Sequence, residues 1–225
     1  MITKLPRWVE SGAFLLAMIA GTINAVGLLG FQHQSVSHLS GTVTLLGTQL
    51  LPFDDQSFHL LMIIISFLAG ATFSGVLIER TALKLGRRYG VALLVESALL
   101  VAATVALTQG YGGGHYLASA ACGLQNAMIS TYSGAVIRTT HMTGIITDLG
   151  LMLGARIRGE EWDKRKAWLF SLIFLGFLFG GFGGAILYAH LQFSALLIPA
   201  GLAFIVAMSY WVYLHRLDTI ARSID

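Results

Sequence analysis

The chain has 225 residues, of which 56% are hydrophobic and 11% are charged, whereas about 25% are charged in a typical soluble domain. Its mean hydropathy is +0.74 and its net charge is +3 at pH 7. This composition excludes a soluble globular protein, a disordered chain and a nucleic-acid binder, and it predicts a polytopic membrane protein. The single cysteine excludes an internal disulfide, and no Cys/His spacing indicates a metal or cofactor site.

In chain order, six apolar stretches are long enough to cross the ~30 Å hydrocarbon core, which takes roughly 20 helical residues. They lie near residues 11–31, 59–79, 90–109, 116–137, 167–190 and 194–214. Two further apolar stretches, 40–51 and 142–155, would reach only ~18–21 Å as helices. We therefore predict an all-α membrane protein with six transmembrane helices and two short re-entrant or broken helices.

The distribution of positive charge supports this arrangement, because basic loops face the cytoplasm. Six spans with two re-entrant segments place every Lys and Arg on one side, together with both termini. These residues are Lys4, Arg7, Arg80, Lys84, Arg87, Arg88, Arg138, Arg156, Arg158, Lys164, Arg165, Lys166, Arg216 and Arg222. The loops of the other side, near 31–36, 52–57, 109–115 and 190–193, contain no Lys or Arg.

An internal repeat divides the chain into a first half, 1–110, and a second half, 111–225. HLSGTVTLLG at 38–47 matches HMTGIITDLG at 141–150, and GTINA at 21–25 matches GLQNA at 123–127. GATFSG at 70–75 also matches GFLFGG at 176–181. Because each half contains three predicted spans, the halves must have opposite orientations, which is the inverted-repeat plan of many transporters.

The same motifs carry a family resemblance. VSHLSGTVTLLG after a glycine-rich first helix, followed by THMTGIITDLG in the second half, resembles the YoaK-like family of small bacterial inner-membrane proteins. The resemblance covers essentially the whole chain and implies a multi-pass protein of the bacterial inner membrane. That family has no known function, so the resemblance supplies neither a substrate nor catalytic residues.

Each His-x-[Ser/Thr]-Gly motif lies where a loop turns into a short helix. A polar side chain inside a membrane usually faces the protein interior or a water-filled cavity. We expect Ser40 and Thr143 to cap the short helices, whose positive N-terminal ends suit an anion or a polar solute. The alternative is structural, since His38 and His141 would each hydrogen-bond a carbonyl and hold the loop in place.

The predicted solute site combines the two motifs with two amides in long apolar helices. Its residues are His38, Ser40, Gly41, Thr44, His141, Thr143, Gly144, Thr147, Asn24 and Asn126. The amides have an alternative role in interhelical hydrogen bonding, and the threonines could bond their own i−4 carbonyls.

Two acids at membrane depth, Asp148 and Glu96, are candidates for proton or ion coupling. The competing interpretation is an ion pair. For Asp148 the partner would be Arg156 or Arg158, and for Glu96 it would be Arg88.

These observations favour a channel or secondary transporter for a small polar or anionic solute, and not an enzyme. The alternatives are a non-transporting assembly or regulatory protein and an intramembrane hydrolase. We expect the spacing of His38 and Ser40 on one helix to give a poor Ser–His geometry for hydrolysis. Expected partners are the solute and the lipid bilayer. Rows of small residues allow helices to approach closely, so we expect the glycine face of Gly176, Gly180 and Gly184 to pack either between the two halves or between two copies of the chain.

Overall fold

The computed structural model describes residues 6–30, 34–78 and 86–222. This part of the chain is helical and contains no strand, which confirms the all-α prediction. In chain order the helices are α1 (Trp8–Gly30), α2 (Leu39–Thr48), α3 (Asp55–Leu77), α4 (Arg87–Thr108), α5 (Gly114–Ser133), α6 (Met142–Ile157), α7 (Lys164–Leu191) and α8 (Leu197–Arg222). A short 3-10 turn, Gln192–Leu196, joins α7 to α8. The predicted basic residues Lys4, Arg80 and Lys84 lie outside the described residues, as do residues 31–33.

Four helical stretches are long and apolar enough to cross a membrane, which supports a membrane protein. They are α1, α3, α4 and the continuous run Lys164–His215, which contains α7 and most of α8. The sequence predicted six separate spans, but α5 falls short of this hydropathy. A physical reason is that α5 packs against α1, α3 and α4 and buries most of its residues. Little of its surface therefore has to be apolar enough for lipid.

The most extensive helix contacts join α1 to α7 and α3 to α5. On α7, glycines at every fourth position lie directly against the backbone of α1. The contacting pairs are Gly176 with Phe14, Gly180 with Met18, and Gly184 with Thr22. Because the residue numbers increase in both helices from one contacting pair to the next, α1 and α7 run parallel. Such rows of small residues allow two helix backbones to approach closely.

The contact between α3 and α5 has the same character. Gly123 lies against the carbonyl of Phe67, and the Ser119 hydroxyl donates a 2.9 Å hydrogen bond to the carbonyl of Ile63. The residue numbers again increase in both helices from one pair to the next, so α3 and α5 run parallel. Each pair therefore joins the first long helix of one half to the second long helix of the other half.

The first helices of the two halves, α1 and α5, run antiparallel. The rings of Trp8 and Tyr132 lie 6.1 Å apart, and the amide of Gln125 donates a 3.1 Å hydrogen bond to the carbonyl of Leu16. The start of α1 and the end of α5 thus share one end of the bundle. We call this the basic end, because α4 and α7 also begin there. At this end the guanidinium of Arg165 lies 3.1 Å from Glu10.

The short helices α2 and α6 lie at opposite ends of the bundle. α1 ends and α3 begins at the end opposite the basic end, so the chain containing α2 leaves that end and returns to it. α5 ends and α7 begins at the basic end, where α6 is the intervening helix. Each short helix has a single buried residue, Thr42 in α2 and Ile145 in α6. α2 rests on α3, and α6 rests on α7.

One element of the repeat was aligned wrongly by the sequence comparison. The sequence match pairs Gly70 with Gly176, an offset of 106 residues. In the structure, Gly70 contacts the carbonyl of Ala120, and Gly180 contacts the carbonyl of Met18. Since Ala120 and Met18 are themselves equivalent at the offset of 102, the counterpart of Gly70 is Gly180. The correct offset in this helix is 110, one helical turn further along.

The glycine contacts generate a prediction on α7. A Cβ at position 180 would overlap the carbonyl oxygen of Met18, whereas a Cβ at position 183 would meet open space. We expect Gly180→Ala to lower the free energy of unfolding by about 1–3 kcal/mol through overpacking. Gly183→Ala, three residues away, should be neutral or stabilising by up to about 1 kcal/mol, because alanine favours the helix. Thermal unfolding in one detergent compares the two, and equal losses would contradict the packing described here.

Candidate functional site

A cavity of about 680 Å³ lies between the two halves and is lined by both His-x-[Ser/Thr]-Gly motifs. We call it the central cavity. From the predicted site it contains Asn24, His38, Ser40, Asn126, His141 and Thr143. It also contains Ser37, Leu39, Phe67, Ser130, Arg138, Thr140, Met142 and Phe177, which the prediction did not include. Two motifs 103 residues apart in the chain therefore meet in one space.

The glycine of each motif leaves room for the histidine of the same motif. A Cβ at Gly41 would lie 2.8 Å from Nδ1 of His38, and a Cβ at Gly144 would overlap the ring of His141. Each imidazole thus folds back over the first turn of its helix. The pattern His-x-[Ser/Thr]-Gly is explained by this local packing, which the sequence alone did not reveal.

The capping prediction for Ser40 and Thr143 is wrong. His38 and His141 occupy the N-cap positions, and neither helix has a side-chain cap. The hydroxyl of Ser40 instead lies 3.2 Å from Nε2 of His38. The first-turn N–H groups of α2 and α6 therefore start at the central cavity without a capping oxygen, and such groups carry a partial positive charge.

The two motif threonines point away from the central cavity. Thr44 donates a 2.8 Å hydrogen bond to the carbonyl of Ser40, and Thr147 donates a 2.9 Å bond to the carbonyl of Thr143. Both are hydrogen bonds to the carbonyl four residues earlier, which is the alternative role predicted for these threonines. Neither threonine lines the central cavity.

The two repeat-related asparagines have different surroundings. Oδ1 of Asn24 accepts hydrogen bonds from the hydroxyl of Ser35 and from the backbone N–H and hydroxyl of Ser37, the last at 2.8 Å. Asn24 therefore anchors the chain that leads into α2. Oδ1 of Asn126 is buried and has no partner in the described part of the chain, although its residue lines the central cavity.

In the second half, the neighbouring Gln125 takes over the anchoring role. Its Oε1 accepts a 3.3 Å hydrogen bond from the hydroxyl of Thr139, while its amide N–H₂ reaches the carbonyl of Leu16 on α1. The chain before α6 is thereby held to both α5 and α1. No hydrogen bond within the described residues occupies the side-chain amide of Asn126, whose residue lines the central cavity.

A second cavity of about 500 Å³ lies next to the central cavity along α6, and we call it the side cavity. The two share Arg138, His141 and Thr143. The side cavity also contains the predicted residues Gly144, Thr147 and Asp148. It therefore extends from the motif of the second half towards the start of α7 at the basic end.

The structure corrects the ion-pair alternatives for the two acids. Asp148 lies 3.9 Å from Nζ of Lys166 on α7, and not in a pair with Arg156 or Arg158. Glu96 is fully buried in α4, and neither carboxylate oxygen has a partner within the described residues. Glu96 lines neither the central nor the side cavity, so the structure separates it from the motifs.

At the end opposite the basic end, a further polar cavity of about 680 Å³ forms a vestibule. Its lining includes Gln34, Asp54, His59 and His115. Hydrogen bonds from the backbone and hydroxyl of Ser57 lower the pKa of Asp54, so this carboxylate is charged at neutral pH.

Residues 35–37 separate this vestibule from the central cavity. The hydroxyl of Ser119 donates a 2.9 Å bond to the carbonyl of Val36, and Ser37 is bonded to Asn24. Among the described residues, none lines both spaces. Residues 35–37 therefore lie between the central cavity and the vestibule.

Several residues that line the central cavity were not among the predicted site residues. Ser37 and Thr140 immediately precede the motif histidines at equivalent positions, so extending the repeat by one residue would have found them. Arg138 was considered only as a marker of the cytoplasmic side. Nothing in the repeat indicates its position in the cavity, because its counterpart is Ser35.

The region that contains both motifs matches a known family. Residues 12–209 match the family described as "Protein of unknown function (DUF1275)". The chain belongs to this family. The match is consistent with the resemblance to the uncharacterised YoaK-like family and includes both motifs and all eight helices in whole or in part. No curated protein and no solved structure matches the sequence.

The unequal surroundings of the asparagines generate the next prediction. Asn24→Ala removes the acceptor of the Ser37 N–H, and an unsatisfied buried donor costs about 1–3 kcal/mol. We expect a corresponding loss in the free energy of unfolding. Asn126→Ala removes no hydrogen bond found in the described residues and should change it by about 0.5 kcal/mol or less. Chemical unfolding in detergent measures both variants, and a larger loss for Asn126→Ala would contradict the assigned roles.

Proposed function

We propose that this protein is a channel or secondary transporter for a small polar or anionic solute, and that the solute binds in the central cavity. The observation that carries this proposal is the meeting of both repeated motifs around one polar space between the halves. Polar groups at membrane depth are costly unless they serve a cavity or a partner. Matching short segments in the two halves are also the typical position of transporter binding sites.

The directions of the helices support an inverted repeat with six crossing helices. α1 and α5 are antiparallel, and the equivalent pairs α1–α7 and α3–α5 are both parallel. In this proposal α5, α7 and α8 each cross the membrane, and α2 and α6 are re-entrant. The halves 1–110 and 111–225 then form one membrane domain.

We infer that the basic end is cytoplasmic in the bacterial inner membrane and that both termini lie there. Arg87, Arg165 and the loop before α7 belong to this end. The loops at the other end, including 52–57 and 109–115, contain no Lys or Arg. The positive-inside rule supports this orientation.

The connected cavities suggest a route. The central cavity adjoins the side cavity at Arg138, His141 and Thr143 towards the basic end, whereas residues 35–37 lie between it and the vestibule. A carrier open to the cytoplasm has this form. Solute release to the other side would require the contacts of Val36 with Ser119 and of Ser37 with Asn24 to open.

One observation favours a second candidate, an intramembrane hydrolase. The prediction of a poor Ser–His geometry was wrong, because Ser40 lies 3.2 Å from Nε2 of His38. A serine nucleophile also needs its base to be oriented by a third group. Within the described residues, His38 has no carboxylate partner. We therefore rank hydrolysis below transport, and a structural or regulatory role without transport stays the other alternative.

Coupling by Asp148 or Glu96 and association of two copies remain parts of the proposal. Asp148 lines the side cavity and is the better placed of the two acids.

The face of Gly176, Gly180 and Gly184 is already occupied by α1. A dimer would therefore use a different surface, such as Gly181 and Gly183, which face open space.

Solute flux through proteoliposomes tests the function directly. We expect vesicles with the protein to admit at least one of glycerol, urea, inorganic phosphate and methanesulfonate faster than protein-free vesicles. His38→Ala and His141→Ala should each reduce that flux about tenfold, because each removes a polar group from the cavity. His190→Ala, an exposed histidine at the end of α7, is the matched control and should retain it. A flux equal to that of protein-free vesicles for all four solutes would contradict the proposal.

Thiol labelling tests the orientation. In a Cys122→Ser background, we introduce single cysteines at exposed sites of both ends: Asp54 and Tyr111, and Gly86 and Gly159. An impermeant thiol reagent should label positions 54 and 111 from outside intact cells, and positions 86 and 159 only after lysis. Labelling of position 86 from outside intact cells, with positions 54 and 111 protected, would be incompatible with the proposed re-entrant α2.

A further inference from the structure

We propose that the central cavity selects small oxyanions, such as carboxylates, phosphates or sulfonates, and that Arg138 is the residue that sets this selectivity. This inference rests on the proposed function. It specifies the charge of the solute, which the transport proposal leaves open between a polar and an anionic molecule.

Arg138 lies on the chain that leads from α5 into α6 and lines both the central and the side cavity. Its neighbours Ile137 and Thr139 are buried and hydrogen-bonded to Ser133 and Gln125. The backbone on both sides of Arg138 is therefore held. Its own side chain is exposed and makes no hydrogen bond or ion pair within the described part of the chain.

The charges around the cavity are unequal. No Asp or Glu is among the residues that line the central cavity. The acid nearest along the route is Asp148 in the side cavity, which has its own partner in Lys166. Arg138 thus leaves a positive charge that the lining does not neutralise. The uncapped first turns of α2 and α6 add partial positive charge on the same space.

The hydrogen-bonding groups also suit an oxyanion. A guanidinium presents paired N–H groups that match the two oxygens of a carboxylate or phosphate. The amide of Asn126 and the imidazoles of His38 and His141 line the same cavity and are potential donors. A cation in this cavity would find no carboxylate in the lining.

The repeat shows that the fold does not need this arginine. The equivalent residue of the first half is Ser35, whose hydroxyl bonds to Asn24 and helps to anchor the chain. In the second half, Gln125 and Thr139 provide the anchor instead. The fold therefore does not require a charged residue at position 138. This assigns the charge of Arg138 to the binding of the solute.

Flux of matched probes tests the selectivity. Proteoliposomes containing the full-length protein are assayed with inorganic phosphate, methanesulfonate and neutral glycerol. For Arg138→Gln we expect about a tenfold or greater loss of both anion fluxes, since a charge-assisted hydrogen bond contributes about that factor. The glycerol flux should change less than about twofold. Arg138→Lys should keep the preference for anions, with a reduced rate.

Arg156→Gln is the control for surface charge. Arg156 is exposed on the last turn of α6 and lines neither cavity, so its loss should leave all three fluxes unchanged. Equal anion losses in Arg138→Gln and Arg156→Gln would overturn the inference, as would an unchanged anion flux in Arg138→Gln.

The wild type distinguishes the inference from the proposed function. A wild-type protein that carries glycerol but neither anion overturns the selectivity and leaves transport intact. A wild-type protein that carries none of the probes overturns both. If Arg138→Gln fails to fold, Arg138→Lys tests the inference instead. This variant retains the positive charge, so a loss of its preference for anions would contradict the inference.

Discussion

The structure depends on close backbone contact between parallel helices from different halves of the chain. Gly180 lies against the carbonyl of Met18 in one pair, and Gly123 lies against that of Phe67 in the other. In a membrane the hydrophobic effect does not drive helices together, so van der Waals contact at small residues has to hold them. Because each half supplies one helix to each pair, neither half can move away without breaking two extended contacts.

This exchange of helices leaves room for the short segments between the halves. α2 and α6 are not part of either parallel pair, and each buries only one residue. The chain before each short helix turns inwards and is fixed by an amide, Asn24 in the first half and Gln125 in the second. The motif histidines follow directly and reach the central cavity from both halves. The difference between the two anchors also makes the surroundings of the two motifs unequal.

The sequence was sufficient for the helical class, the short segments and the meeting of the motifs, because these follow from apolar length and from the repeat. It misaligned α7, because glycines recur at every fourth position and a shift of one turn gives an equally good match. It misjudged Ser40 because His38 is the N-cap with non-helical φ and ψ of −87° and 66°, which lets the ring turn back onto the helix. Arg138 was missed because cavity position depends on tertiary contacts of Gln125 and Thr139, for which the sequence has no local pattern.

The central claim is that both motifs face water within the membrane. Single cysteines at Ser40 and Thr143, in a Cys122→Ser background, test it by their rate of reaction with a small water-soluble thiol reagent in proteoliposomes. Leu68 is the reference, since it is 63% exposed, lies within α3 well away from both helix ends, lines none of the described cavities and would face lipid. We predict rapid reaction at positions 40 and 143 and slow reaction at 68. Equally slow reaction at all three positions would show a dry interior and contradict a solute site between the halves.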